Sequence, residues 1–487
     1  MNPIESPKPH VVIIMADQLR ADVLGKGYSP NIDALAADSV VFDRAYCASP
    51  LCVPARGALF SGRYPSETGC IINPWEKSEL QHGVVAPGNP NLYTLMEQSW
   101  DSWHTGKQHF LTHDRFDQSA NTKTHWNTEH DYSAFLKTHG KRAPGGPAFR
   151  TMMPELNSGD VTRMREYTTP ATGCYPEGLD YFFDGYILNQ TLDALRRRDR
   201  SRPALLNAMF LAPHPPLEIP EPWFSMYKTA ALPENVGVWQ KKQSPLQLYN
   251  LPGYIGARYT RPDWERIWPV YLGLVSLLDH CVGAIVAELK TQGIYDDTLL
   301  LFTSDHGEML GSHCLWQKMC MYEESVLTPL TIKFPGSFTP ARRHISDVVS
   351  AIDVFPTLCD FLKLEAPKNL SGVSLMPVIS GAAPHVDRER IYIQFDGNGA
   401  RGNAQRCVVE REWKLIVDTF KNEIFLELYH TAADPLETNN LAFDPGQRDR
   451  VAALLSQLGT HLKATNDALE FPADMYDRFL RNYNDCM

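Results

Sequence analysis

Four short segments along the chain are dense in apolar residues without strict alternation: Val11 to Ala16, Val40 to Phe42, Leu205 to Leu211 and Thr298 to Thr303. A strand covered by helices on both faces reads this way, so the pattern predicts buried strands of a parallel sheet. Pro30 to Ala36 fits a capped helix between the first two, which makes a βαβ unit. Val270, Leu274, Leu277, Cys281, Ile285 and Leu289 recur at spacings of three and four, as on an amphipathic helix packed against a sheet. Residues 111–180 are polar and aromatic, with several histidines and little periodicity. They predict a long insertion of ordered loops, a natural place for substrate selection. A composition break at Gly381 to Pro384 separates a different pattern. Ile391 to Phe395, Trp413 to Val417 and Phe425 to Tyr429 predict short antiparallel strands, and Pro445 to Thr465 a helix. The expected architecture is α/β, with a helix-flanked, mostly parallel sheet in residues 1–384 and a small α+β subdomain in residues 385–487.

Composition narrows the partners. With 43% hydrophobic and 21% charged residues, the 487-residue chain has the make-up of an ordered protein with a substantial core. Its formal net charge of −11 excludes a nucleic-acid backbone as the expected partner, because no basic excess is there to release counterions. The start of the sequence carries no basic segment followed by an apolar one, and the ten cysteines fall outside C-x-x-C pairs. Both features lead to the expectation of reduced thiols and a cytoplasmic location, unless a leader has been removed. Asp279 and His280 interrupt the one stretch that resembles a membrane span, so no membrane is expected.

The apolar segments lead into polar residues with chemistry. The first ends at Asp17 and Gln18, and ligands in open α/β sheets bind at the carboxyl ends of strands. The second leads to Cys52-Val53-Pro54-Ala55-Arg56, where a thiol precedes a proline and a helix-compatible run. The sulfur is thereby placed at a helix N-terminus, which favours an anion. In Gly106-Lys107-Gln108-His109, the lysine and histidine are two apart and would share one face of a strand. The third segment exits through Ala212-Pro213-His214-Pro215-Pro216, where flanking prolines restrict the histidine's backbone. The fourth ends in Ser304-Asp305-His306-Gly307-Glu308, and Lys318 precedes Tyr322-Glu323. Taken singly, each also fits a structural role: a buried cysteine, a turn cap or a solvated strand.

Taken together and in this order, the segments resemble the sulfatase branch of the alkaline-phosphatase-like superfamily. Cys52, Pro54, Arg56, Leu59 and Gly62 match the C-x-P-S/A-R signature and its Leu-x-x-Gly helix; G-K-x-H, S-D-H-G and K-x-x-x-Y-E follow. The resemblance implies a large mixed, mostly parallel sheet, with a small C-terminal antiparallel sheet and helix. It implies that Cys52 is oxidised to formylglycine by a formylglycine-generating or maturase enzyme, and that the hydrated aldehyde is the nucleophile. Asp17, Asp305, His306 and the modified Cys52 would hold one divalent cation, with Gln18 as a weaker, neutral ligand. An oxygen-rich set favours calcium, and the histidine keeps manganese as the alternative. His214 and Lys318 would serve the leaving oxygen and His109 the second hydroxyl, with Arg56, Lys107 and Lys318 steadying oxyanions. The expected substrate is a sulfate monoester of a small molecule or glycan, including a sulfated sugar. Gln18 replaces the usual second aspartate, as in choline sulfatases and phosphonate monoester hydrolases. A phosphonate monoester or phosphodiester hydrolase is therefore one alternative, and a non-catalytic sulfoglycan-binding protein with unmodified Cys52 is another.

Overall fold

In the computed structural model, residues 8–156 and 162–483 are described; the N-terminal residues 1–7 and Cys486 lie outside them. The strands in chain order are β1 (His10–Asp17), β2 (Val40–Tyr46), β3 (Asp101–Gly106), β4 (His125–Asn127), β5 (Arg150–Leu156), β6 (Thr162–Thr168), β7 (Thr172–Cys174) and β8 (Ala204–Pro213). They continue with β9 (Leu217–Ile219), β10 (Thr298–Ser304), β11 (Leu330–Lys333), β12 (His344–Ser350), β13 (Arg390–Phe395), β14 (Ala404–Glu410), β15 (Trp413–Phe420) and β16 (Glu423–His430). Eight of them form one sheet in the order β12-β2-β11-β10-β1-β8-β3-β4. Only β11 runs against the others, which makes the sheet mixed and mostly parallel.

The central position of β1 explains its composition. Val11, Val12, Ile13 and Ile14 are all fully buried, alternating between cores on opposite sides of the sheet. Burying each such side chain is worth about 1.5–3 kcal/mol, so a polar residue has no place in this strand until it ends. β1 and β2 are joined through the helix Pro30–Ala37 and run parallel, with β10 and β11 between them. The helix Arg261–Thr291 starts at a capping box of Thr260 and Asp263 and packs on this sheet and on the helix Phe183–Arg197. It is long and apolar enough to cross a bilayer, yet most of that stretch is buried inside the fold. Asp279, which breaks its apolar run, accepts from the Ile32 backbone N–H at 2.8 Å and from Asn31 Nδ2 at 2.7 Å, tying down the Pro30–Ala37 N-terminus.

β13 to β16 form an antiparallel sheet in sequential order. Its two faces separate as the strand period requires: Ile391, Ile393, Cys407 and Ile416 join the main core, while Val408, Leu415 and Val417 face the helices Arg448–Ala464 and Met475–Tyr483. The expected helix at 445–465 is a 3₁₀ turn, Pro445–Gln447, followed by Arg448–Ala464.

One local expectation fails. β3 stops at Gly106, so Lys107 and His109 lie beyond the strand and not along one face of it. Gly106 has φ +104°, and a Cβ there would meet Met209 O at 2.1 Å. The backbone hugs β8 and then turns away, which only glycine tolerates. Residues 111–180 also hold more regular structure than loops: β4 extends the main sheet, Glu129–Thr138 is helical, and β5 pairs with β6 as a hairpin.

Candidate active site

The site lies where the carboxyl ends of adjacent strands meet. Parallel pairing of β1 with β10 sets Ala16 opposite Ser304, and pairing with β8 sets Asp17 opposite Pro213. This register brings Asp17, Asp305 and His214 to one edge. Cys52 enters from the side as the first residue of the helix Cys52–Ser61. The polypeptide must also come close at Gly307, where a Cβ would meet Glu324 O at 2.0 Å.

Cys52 Sγ lies 3.2 Å from His306 Nε2, 3.6 Å from Lys107 Nζ and 3.8 Å from Asp17 Oδ1. Asp17, Cys52, Asp305 and His306 are all buried, and one ligand atom from each falls within 4.8 Å of the others. His306 Nδ1 lies 3.0 Å from Gly307 O, so that nitrogen carries the proton and Nε2 offers its lone pair to the cluster. Two carboxylates, an imidazole lone pair and the position-52 atom make a donor set that fits one divalent cation.

Arg56 binds the cluster from beneath. Its Nε donates to Asp305 Oδ2 at 3.0 Å, one Nη to Asp17 Oδ2 at 3.1 Å and the other to the Lys107 carbonyl at 3.1 Å. Lys107 Nζ is also paired with Asp17 Oδ2. Burial pushes the Asp17 carboxyl up, but Lys107, His214 and Arg56 overcome it and hold its pKa well below the usual value. Burial and then Asp17 oppose ionisation of the Cys52 thiol, yet Lys107, Lys318 and His306 leave its pKa lowered. The site therefore stabilises an anion at position 52. For His306, burial works against the charged form, while Asp305 and Cys52 raise its pKa.

Gln18, at φ +68°, is fully buried between two charged partners. Its Oε1 accepts from Lys318 Nζ at 2.6 Å, and its Nε2 donates to Glu308 Oε2. Glu308 Oε1 in turn accepts from the backbone N–H groups of Leu310 at 2.9 Å and Gln317 at 2.6 Å. Sequence reasoning assigned Glu308 no role, because its partners come from distant segments.

His109 and His214 line the cavity above this cluster. His109 Nε2 is 3.8 Å from Glu129 Oε1; burial, then Lys107 and Arg56, hold its pKa well below the ordinary histidine value. His214 Nε2 is 4.0 Å from Asp17 Oδ1, and its Nδ1 contacts the Pro215 carbonyl. Burial and Lys318 push His214 down likewise. Asp184 fixes the strand exit before it, accepting from the Leu211 and Ala212 N–H groups at 2.8 Å each. Burial pushes Asp184 up to about 7.

The cavity has a volume of about 530 Å³. Its outer wall comes from residues that sequence reasoning did not single out: Trp75, Arg150, Arg165 and Tyr167, with Asn73 and Asn398. Arg150, Arg165 and Tyr167 belong to the β5–β6 hairpin, inside the segment expected to select substrate.

Comparison with known proteins matches residues 9–364 to the Sulfatase family, and residues 311–464 to the family described as N-sulphoglucosamine sulphohydrolase, C-terminal. The chain is 27% identical to an arylsulfatase of Clostridium perfringens over 91% of its own length and 92% of the relative's. It is 28% identical to a choline-sulfatase of Rhizobium meliloti, over 90% and 83%. Among solved structures, the phosphonate monoester hydrolase of Agrobacterium radiobacter superposes with a TM-score of 0.75 at 24% identity, covering 94% of this chain and 96% of that one.

Proposed function

Because the chain belongs to the sulfatase family and is an enzyme that hydrolyses sulfate esters, we propose that it acts through Cys52 converted to formylglycine, with one divalent cation held by Asp17, Asp305 and His306. The observation that carries this reading is the convergence on Cys52 Sγ of Asp17, His306 and Lys107, all within 3.8 Å. Calcium suits the oxygen-rich set, and manganese is the alternative that His306 keeps open. Gln18 Oε1 is near enough to Lys318 to be engaged there, which leaves it a minor contributor to the metal. Conversion of position 52 requires a separate formylglycine-generating or maturase enzyme.

When bound, the cation polarises the sulfate group and lowers the pKa of the oxygen nucleophile that the converted side chain supplies. The remaining work falls to the chain's own side chains. Arg56 is a positioning residue: all its contacts go to the carboxylates and the Lys107 carbonyl, so it fixes the angle between Asp17 and Asp305. Lys107 and Lys318 present ammonium groups to the sulfate oxygens, stabilising charge that grows as the ester bond breaks. Lys318 and His214 both line the cavity into which the alcohol would depart, and Lys318 brings the proton donors. His109 lines the same cavity, and burial with Lys107 and Arg56 favours its neutral form, which can accept a proton there.

The test is a sulfate-release assay on protein whose position-52 peptide has been weighed. Active enzyme should show the thiol replaced by an aldehyde, and Cys52→Ala should be inactive. Full activity with an intact thiol, or a higher kcat/KM for a matching phosphonate monoester than for the sulfate, overturns the reading.

A further inference from the structure

We infer that Asn398, in the loop joining β13 to β14, is a positioning residue for the reaction, holding Asn73 as a cap on the helix that starts at Cys52. The inference rests on the sulfatase reading, in which the position-52 side chain becomes the nucleophile.

The helix Cys52–Ser61 begins without a cap of its own. Leu51 before it has no side-chain acceptor, and the bond of the first turn runs from the Ala55 N–H to Leu51 O at 2.9 Å. Pro54 has no N–H to satisfy. The N–H groups of Cys52 and Val53 are therefore the two that the helix itself cannot satisfy. Asn73 meets the second of them, its Oδ1 accepting from the Val53 N–H at 3.4 Å. A backbone N–H can only donate, so this contact decides which way round the Asn73 amide lies, and the polarity passes outward. Asn73 Nδ2 donates to Asn398 Oδ1 at 3.1 Å, and Asn398 Nδ2 donates in turn to the Tyr167 hydroxyl at 3.2 Å. The Asn73 N–H also donates to the Asn398 carbonyl at 2.8 Å, so Asn398 grips Asn73 by backbone and side chain together. Both asparagines are buried on the cavity wall.

The loop that brings Asn398 is itself held firmly. Gly397 has φ +118°, and a Cβ there would meet Ala400 O at 2.1 Å, because the chain folds tightly back on itself. Asp396 accepts from Arg406 Nη2 at 2.7 Å and from Gln394 Nε2 at 2.8 Å, and the Gly402 N–H closes the loop on Asp396 O at 3.0 Å. Arg401 forms a separate tie, to Glu79 at 2.8 Å. A hydrogen-bonded path thus runs from β14 through Asn398 and Asn73 to the first turn of the helix that carries the nucleophile. That turn sets where Cys52 Sγ stands among His306, Lys107 and Asp17, at 3.2 to 3.8 Å. A reacting atom displaced by about 1 Å loses on the order of 10²-fold in rate. A residue that only clasped the subdomain to the main sheet would share its work with Arg401, and its loss would be felt as stability without a change in kcat.

The experiment measures kcat, KM and melting temperature for Asn398→Ala, Asn398→Asp and Arg401→Ala on 4-nitrophenyl sulfate, each rate divided by the fraction of position 52 converted to the aldehyde. Asn398→Ala should lower kcat by about tenfold with KM within about twofold, because alignment is lost and binding is not. Asn398→Asp keeps an acceptor for Asn73 Nδ2, and the Tyr167 hydroxyl can turn to donate to it, so most of that loss should be recovered. Arg401→Ala should lower the melting temperature slightly and leave kcat within about twofold of wild type. Adding Asn398→Ala to Asn73→Ala should cost little more, since the group it holds is gone. Amide exchange in the peptide Cys52–Ser61, which needs no substrate, should quicken in Asn398→Ala and not in Arg401→Ala. An unchanged kcat or exchange in Asn398→Ala, an equal loss of kcat in Arg401→Ala, or no recovery in Asn398→Asp overturns the inference and leaves the sulfatase reading standing. Absence of sulfate release by fully converted wild type overturns that reading and the inference with it.

Discussion

Glu308 offers the most stringent test of how the site is held. The segment from Leu310 to Met319 contains five non-glycine residues at positive φ: Leu310, His313, Cys314, Gln317 and Met319. Such a path persists only when its surroundings over-determine it. Glu308 does so from within, one carboxylate oxygen accepting from the N–H groups of Leu310 and Gln317 and the other from Gln18, whose amide oxygen receives Lys318. Glu308→Ala leaves two buried N–H groups unpaired at about 1–3 kcal/mol each. Part of this is offset, because burial raises the Glu308 pKa and the buried carboxylate itself is unfavourable. A net loss of about 2–4 kcal/mol remains. With an unfolding entropy of about 2 cal/mol/K per residue over 487 residues, it lowers the melting temperature by about 2–4 °C.

Glu308→Gln separates folding from positioning. The glutamine oxygen can still accept from Leu310 and Gln317, so the melting temperature should stay near wild type. Its amide nitrogen now confronts the Gln18 amide nitrogen, donor against donor; Gln18 must rotate, and Lys318 loses its acceptor. Misplacing a group at a reaction centre costs on the order of 10²-fold, so kcat/KM on 4-nitrophenyl sulfate should fall by about 10 to 100-fold. In a Lys318→Ala background the same change should have little further effect, since the group it positions is gone. A Glu308→Gln enzyme within twofold of wild type, or full additivity with Lys318→Ala, refutes the reasoning.

Asp305→Asn should lose bound divalent cation and activity together, measured by elemental analysis and sulfate release; retention of both removes the metal assignment. Chelation of the wild type should lower its melting temperature, since a cation at 100 times its Kd adds about 2.7 kcal/mol to the native state. His109→Ala should release alcohol in a rapid first turnover and then run slowly, and an unchanged steady state would remove its role as proton acceptor. Burial pushes the Glu427 pKa from 4.5 up to about 8, against hydrogen bonds from Tyr322 and Ser244. Its neutral form favours folding fully below about pH 4.5, and that contribution is lost as pH rises through about 8, so Glu427→Gln should flatten the fall of melting temperature between those limits.

The parts of this fold that sequence reveals are those whose physics is local. β1, β8 and β10 announce themselves because both faces are buried, and their polar ends stand out for the same reason. β14 stays hidden because a core position carries Arg406, which is tolerable only through Asp396 in the preceding loop and Asp467 far along the chain, each at 2.7 Å. β11 is four residues long and ends in Lys333, whose buried ammonium is met by the Tyr295 and Thr298 carbonyls. The β5–β6 hairpin lacks an alternating signal because Met152 and Met164 are solvent-exposed while Arg150, Arg165, Glu166, Tyr167 and Thr168 line a polar cavity. Lys107 and His109 are legible as a motif but not as strand residues, because the contact that ends β3 at Gly106 is with β8, about a hundred positions on.

The Tyr322-Glu323 pair, visible in the sequence beside Lys318, is explained by the C-terminal sheet. Tyr322 donates its hydroxyl to Glu427 on β16 at 2.8 Å, and the Glu323 N–H is received by Glu437 at 2.7 Å. Lys414 on β15, fully buried, lies between Glu323 at 2.8 Å and Glu437 at 2.9 Å. Breaking a buried pair by removing one partner costs about 3–5 kcal/mol, so this junction does not slide. Lys318 is therefore clamped from both sides, by Glu308 through Gln18 before it and by the C-terminal sheet after it. A lysine has four rotatable side-chain bonds and would sample many positions if its backbone were free; here the backbone is fixed at both ends before substrate arrives. The loop joining β13 to β14 also supplies Asn398, which donates to the Tyr167 hydroxyl beside Trp75, and so the same subdomain that steadies the reaction centre shapes the outer wall of the cavity.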